Sequence, residues 1–347
     1  MKQIENKECF ILGTRPDVIK MAPLIYKIKP LIINTGQHKE LADEALDIFK
    51  IKPHYNLELM KYNHDVISLI SRGMHELNKI ISIIEPKRIW VLGDTTTALI
   101  GAYVAYLNKI ELVHVEAGLR SHDMNNPYPE EMFRTQIDML SDILFAPTAN
   151  AVKNLKREKV KGKIYKVGNT IVDALEMIKP SLSGVSPLNE KYVLFTMHRR
   201  ESFDKDINTV FSIIKQLSSK IKIVFPAHLN PKVQEAVKKY QLETIKPLNY
   251  VDFLWYLKHC EYVMSDSGGI QEEVPSFNKP ILILRKTTER QEILNSGLAY
   301  LTSLEEEDIL NKIDIISNLS KEEYVRNPFG NGDSAQKIVN IINEIHK

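Results

Sequence analysis

Short apolar runs rich in β-branched residues alternate with longer stretches of helical periodicity along almost the whole chain. The runs at 8–13, 30–35, 88–93, 110–116, 142–147 and 163–167 are nearly unbroken in their hydrophobicity. That is the pattern of parallel strands covered by helices on both faces, not of half-exposed antiparallel ones. Helical spacing fills stretches such as 64–85 and 94–108 between them. The alternation predicts βαβ units and a doubly wound sheet. It breaks at 179–190, KPSLSGVSPLNE, which is rich in Pro, Ser and Gly and has no period, the mark of a domain boundary. The alternation then restarts, with strands near 191–196, 221–226, 260–265 and 280–284 and helices near 204–219, 231–239, 268–277 and 333–346. The expected fold class is α/β. Two Rossmann-like, doubly wound domains, residues 1–178 and 179–332, would face a cleft where the carboxyl ends of both sets of strands meet.

Composition narrows the function classes. The 347 residues suit two domains. Lys+Arg 46 against Asp+Glu 44 leaves a formal net charge of +2, so no overall field attracts nucleic acid or a membrane, and any basic site is local. Cys9 and Cys260 stand far apart with no paired spacing, which suits buried thiols in a reducing compartment. The N-terminus runs from charged residues straight into the first strand pattern, and no apolar run approaches the ~20 residues that span a bilayer. The expected location is cytoplasmic. No G-x-G-x-x-G joins a strand to a helix, and no P-loop motif is present. His198 and His228 have no neighbours at zinc spacing, so neither a cofactor nor a metal is expected.

Chemistry-bearing residues gather where strands end. Gly13-Thr14-Arg15-Pro16 follows the first strand and opens a helix, with Lys20 just inside it. A helix start with an arginine fork can cradle phosphate, and the same residues also read as a threonine cap with a solvated arginine. Ser265-Asp266-Ser267-Gly268-Gly269-Ile270-Gln271-Glu272-Glu273 repeats the arrangement in the second half. There two glycines allow close backbone approach to a diphosphate, and a glutamate one turn later can hold ribose hydroxyls. Asp94 and Glu116 end strands, while Glu130 and Glu131 open a helix that also carries Arg134. Acids at successive carboxyl ends of one parallel sheet point into one crevice and suit general acid–base work. His198-Arg199-Arg200 after a second-half strand reads as an anion clamp, and Thr287-Thr288-Glu289-Arg290 adds either a further cation or a surface salt bridge.

In order, G-T-R-P-x-x-I-K at 13–20, T-G-Q-H at 35–38, G-D-T at 93–95, H-V-E-A-G-L-R-S at 114–121, P-E-E-x-x-R at 129–134 and G-N-T-I-V-D at 168–173 mark the first half. H-R-R-E-S-F at 198–203, H-L-N-P at 228–231, D-S-G-G-I-Q-E-E at 266–273, T-T-E-R at 287–290 and N-P-F-G-N-G at 327–332 mark the second. Together they resemble the UDP-N-acetylglucosamine 2-epimerase family of the non-hydrolysing, bacterial and archaeal type. Three positions depart from the usual family pattern: Asp17, Phe133 and Gln291.

The resemblance implies a glycosyltransferase-B-like fold, a homodimer, and a last helix (333–347) packed back on the first domain. It implies reversible interconversion of UDP-GlcNAc and UDP-ManNAc. Arg15, His198, Ser267, Gly268 and Glu273 match positions that hold UDP, with Gly269, Arg199 and Arg290 in the same motifs. Lys20, Asp94, Glu116, Glu130 and Arg134 match sugar-side and catalytic positions, with His198 included among the catalytic group, and Gln37, His38 and His228 lie in motifs near the cleft. C2 of the sugar is not next to a carbonyl, so enolisation cannot invert it. Elimination of UDP across C1–C2 to 2-acetamidoglucal, then re-addition, needs cations on the diphosphate and carboxylates near C2. Alternatives on the same architecture are a hydrolysing epimerase that releases ManNAc and UDP, a glycosyltransferase, and a non-catalytic nucleotide-sugar sensor.

Overall fold

The computed structural model describes residues 8–62, 65–182, 190–197, 206–319 and 327–345. The chain divides into two units, residues 1–177 with 329–347, and residues 178–328. In the first, it runs β1 (Glu8–Leu12), α1 (Arg15–Ile28), β2 (Leu31–Asn34), α2 (Lys39–Ile48), β3 (Tyr55–Asn56), α3 (Val66–Ile84) and β4 (Arg88–Leu92). It continues through α4 (Thr96–Leu107), β5 (Glu111–Val115), α5 (Glu130–Leu140), β6 (Ile143–Ala146), α6 (Ala149–Arg157), β7 (Lys163–Lys166) and α7 (Thr170–Ile178). Thr14, Asp65, Thr95 and Thr148 set four of the helix starts, each accepting the backbone N–H three residues on. Among the described residues the sheet has the order β3-β2-β1-β4-β5-β6-β7, with every pairing parallel.

The order reverses between β1 and β4, and ligands in doubly wound sheets sit outside the carboxyl ends at such a point. Gly13-Thr14-Arg15 leaves β1 there and Gly93-Asp94 leaves β4. Leu92 pairs with Val115, so Glu116 emerges from β5 alongside Gly93. At the opposite, amino ends, the buried Arg88 guanidinium holds β1, β4 and β5 together through Glu8 (2.6 Å) and Glu111. Helix α4 is apolar almost all round because it lies on the sheet between α3 and α5.

The second unit runs β8 (Tyr192–Thr196), α8 (Asp206–Leu217), β9 (Lys222–Val224), α9 (Pro231–Tyr240), α10 (Tyr250–His259) and β10 (Val263–Ser265). It then forms α11 (Gly268–Glu273), β11 (Ile281–Ile283), α12 (Gln291–Leu294), β12 (Ala299–Leu301) and α13 (Glu306–Ser317). Its parallel sheet, β12-β11-β10-β8-β9, reverses between β8 and β10. Phe195, Phe211 and Phe225 pack together in its core, with ring centroids 4.5–5.8 Å apart. The last helix, α14 (Ser334–Ile345), belongs to the first unit and packs on α1. Asp173 of α7 caps it, accepting from the N–H groups of Ser334 (3.3 Å) and Ala335 (2.9 Å).

Both parallel, doubly wound sheets are thus as the hydrophobic pattern predicts. The pattern did not mark β3 or β12, two- and three-residue edge strands too short to carry a period. Cys9 and Cys260 are free and buried, and burial pushes both thiols up to about 12.

Candidate active site

In the first unit two ion-paired groups form at the reversal point. Lys20, one turn into α1, bonds Glu116 Oε2, and the same oxygen accepts from Asn169 Nδ2 at 3.1 Å. Both members of the Lys20–Glu116 pair are buried, with side chains 6% and 8% exposed. Glu116 has φ +70, an αL conformation that turns the chain sharply off β5. Next to it, Asp94 pairs with Arg134 of α5, and Arg134 donates a second bond to Glu131 at 2.8 Å. Glu131 also accepts from the N–H groups of Ser121 and His122 at 3.0 Å, so this acid anchors a loop. Glu130 is the first residue of α5 and half-buried.

The β1–α1 turn is built by a capping box. Thr14 accepts from Asp17 N–H at 3.4 Å, and Asp17 accepts from Gly13 N–H (3.0 Å) and Thr14 N–H (2.9 Å). Asp17 is fully buried, and desolvation raises its carboxyl to about 7 against those hydrogen bonds. Gly13 has to be glycine: a Cβ would come within 2.1–2.2 Å of the Thr97 and Thr35 hydroxyls. Arg15 is half-buried at the first position of α1. The amide oxygen of Gln37 caps α4, accepting from Thr97 N–H (2.9 Å) and Oγ1 (2.8 Å). His38 is held below its ordinary pKa by desolvation and by the Arg15 guanidinium.

In the second unit, Ser265 Oγ lies 2.8 Å from Thr196 Oγ1 and accepts Ser267 N–H at 3.0 Å, joining the ends of β10 and β8 at that sheet's reversal point. Ser267 precedes α11 without capping it through its side chain. Among the described residues, a Cβ on Gly269 would come near only Ser267 Oγ, at 4.0 Å. Gly268 is buried. Glu273 accepts from the buried Tyr250 hydroxyl at 2.8 Å. Arg290 is built into an ion cluster, with Nε 2.6 Å from Glu272 and Nη1 on Glu289, which also pairs with Arg285 at 3.1 Å. Through Glu272 it is tied to α11. His228 is exposed, its Nδ1 accepting Asn230 N–H at 3.1 Å. His198 and Arg199 lie outside the described residues.

The geometry therefore brings together Lys20 with Glu116, and Asp94 with Arg134, in one unit, and Ser267, Gly268, Gly269 and Glu273 in the other. Asn169 and Tyr250 were not singled out from sequence, and Glu131 was named there beside Glu130 without a separate role. Asn169 sits in the G-N-T segment after β7, where a strand-end polar residue was a signal, and nothing local marks Tyr250. Among the described residues no cluster of three or more His, Cys, Asp or Glu is arranged to hold a metal, and no helix is long and apolar enough to cross a membrane.

The chain is similar to known proteins over nearly its whole length. The family model described as UDP-N-acetylglucosamine 2-epimerase matches residues 26–343. A UDP-N-acetylglucosamine 2-epimerase of Campylobacter jejuni is 37% identical, over 97% of this chain and 97% of the relative. A solved structure of UDP-GlcNAc 2-epimerase from Neisseria meningitidis, bound to UDP-GlcNAc, superposes with a TM-score of 0.90 at 32% identity, covering 97% of this chain and 99% of that one. The Methanocaldococcus jannaschii UDP-GlcNAc 2-epimerase in complex with UDP-GlcNAc and UDP gives 0.83 at 33% identity, covering 97% and 99%.

Proposed function

We propose, from the premise that this chain belongs to the UDP-N-acetylglucosamine 2-epimerase family, that it interconverts UDP-GlcNAc and UDP-ManNAc without net hydrolysis. The observation that carries the reading is the pair of carboxylates Asp94 and Glu116 at the ends of adjacent strands, each held by its own cation. The two cations fix where these carboxylates sit at the strand ends. In the forward direction one carboxylate removes the C2 proton, the C2–H electron pair forms the C1=C2 bond, and UDP leaves with the electron pair of the broken C1–O bond. The resulting 2-acetamidoglucal is protonated at C2 on the opposite face by an acid, and UDP re-adds at C1. General acid–base groups contribute ~10²–10⁴-fold each to such steps.

Asp94, Glu116 and Glu130 are assigned to the C2 chemistry, with Lys20, Arg134 and Asn169 holding acids and sugar in place. His198 is assigned as a further catalytic residue, and Arg15 and Arg199 as cations for the diphosphate. In the second unit, the Ser267-Gly268-Gly269 turn supplies backbone N–H groups to the diphosphate and Glu273 binds the ribose. Arg290 is assigned to substrate binding with them, its Nε also held on Glu272. Gln37 and His38 in the first unit and His228 in the second are assigned to substrate binding. The reading includes a homodimer working in the cytoplasm on a nucleotide sugar.

Product analysis of UDP-GlcNAc incubated with the purified chain tests this. UDP-ManNAc without free sugar is the expected result. Free ManNAc with UDP would replace it by the hydrolysing reaction, and unchanged UDP-GlcNAc would overturn it.

A further inference from the structure

His114 lies on β5, fully buried, two residues before Glu116. Its Nδ1 is 2.7 Å from Asp138 Oδ1, and its Nε2 is 2.8 Å from the carbonyl oxygen of Gly93. A carbonyl oxygen only accepts. Asp138 Oδ2 already accepts from Gly118 N–H (3.1 Å) and Arg120 Nη2 (2.7 Å), the pattern of an ionised carboxylate whose other oxygen accepts too. Both ring nitrogens of His114 therefore donate, and an imidazole that donates from both is a cation. Arg120 is the other cation of the cluster and also forks onto the partly exposed Glu158 at 2.9 and 2.6 Å.

The bonds of this cluster end on the two acid-bearing turns. Gly93 precedes Asp94 and has φ +64, while Gly118 follows Glu116 by two residues and has φ +86. We infer that His114, as an imidazolium held by Asp138, is a positioning residue that fixes Asp94 and Glu116 relative to each other through the Gly93 carbonyl. The catalytic half of this inference rests on the proposed epimerase reading. The charge state of the ring does not.

Nitrogen NMR of the full chain labelled in histidine settles the ring state at neutral pH. Both nitrogens of His114 bearing hydrogen is the expected result. A ring with one bare nitrogen would overturn the inference. Two substitutions then separate the two bonds. His114→Gln extends its amide to where Nε2 lies and keeps a donor toward Gly93. His114→Asn places its amide at the Nδ1 position and keeps only the donor toward Asp138. His114→Asn should lower kcat about 10²-fold, the scale of a displacement of roughly 1 Å at a reacting centre, with KM changed far less. His114→Gln should retain most of the turnover. Equal activity of the two variants, or a loss confined to KM, would overturn the positioning role. If neither variant folds, the wild-type spectrum still decides the ring state on which the role depends. A wild-type chain that leaves UDP-GlcNAc unchanged would take down the epimerase reading and the positioning role together, with the spectrum still judging the buried cation by itself.

Discussion

Lys20→Met is the perturbation whose consequences the structure specifies most fully. The Lys20–Glu116 pair is nearly inaccessible to solvent, so removing the ammonium leaves a carboxylate in a place arranged for two charges. Breaking a buried pair from one side costs ~3–5 kcal/mol, whereas neutralising both partners costs much less. Glu116→Gln alone should cost less than Lys20→Met, because Asn169 Nδ2 still finds an oxygen where it now donates at 3.1 Å. The double variant should then recover stability relative to Lys20→Met, with a coupling energy within the ~0.5–3 kcal/mol seen for contacting residues. Urea unfolding followed by tryptophan fluorescence measures this cleanly. Trp90 is buried in β4 of the first unit and Trp255 lies in α10 of the second, so a Trp255→Phe background reports the first unit alone. Turnover separates the two roles of the pair. It should fall ~10²–10⁴-fold in Glu116→Gln and stay low in the double variant although stability returns. A Lys20→Met cost below ~1 kcal/mol, or strict additivity, would refute the buried-pair argument. Near-normal turnover in Glu116→Gln would refute the catalytic one.

Other substitutions probe independent parts of the account. The Asp17 carboxyl is raised to about 7 by burial, above the ~4 of an unfolded chain, so between those values the native state holds a proton the unfolded state has released. Stability should therefore fall as pH rises from about 4 to 7, and urea midpoints of Asp17→Asn should lack that slope; an unchanged slope would mean another group carries it. Tyr250→Phe removes a hydrogen bond to a carboxylate inside the second unit and should raise KM for UDP-GlcNAc about tenfold with kcat little changed, as steady-state kinetics would show. Gly118→Ala puts a Cβ 2.5 Å from the Ala151 carbonyl oxygen at φ +86, and should cost at least ~2 kcal/mol in a denaturant titration.

What sequence made legible was local. Strand patterns located the ends of β1, β4, β5, β8 and β10, and with them the places of Arg15, Asp94, Glu116 and Ser267 just past the carboxyl ends of parallel strands. Helix starts were legible through their caps, as at Thr14. What stayed hidden depends on partners far away in the chain. Only the structure puts Glu272 and Glu289 on Arg290, and the Gln37 oxygen on Thr97. Glu130 and Glu131 are adjacent and alike in sequence, yet Glu131 is committed to Arg134 and the Ser121–His122 backbone. Asp173 looked like part of a motif, and it caps a helix 161 residues further on. No periodicity carries information of that kind.

The most direct measurement is proton NMR of UDP-GlcNAc turned over in deuterated water. If carboxylates exchange the C2 proton through an eliminated intermediate, UDP-ManNAc appears carrying deuterium at C2, and recovered UDP-GlcNAc acquires it too. UDP-ManNAc that keeps the original hydrogen at C2 would contradict the account, because it requires inversion without release of that proton to Asp94, Glu116 or Glu130.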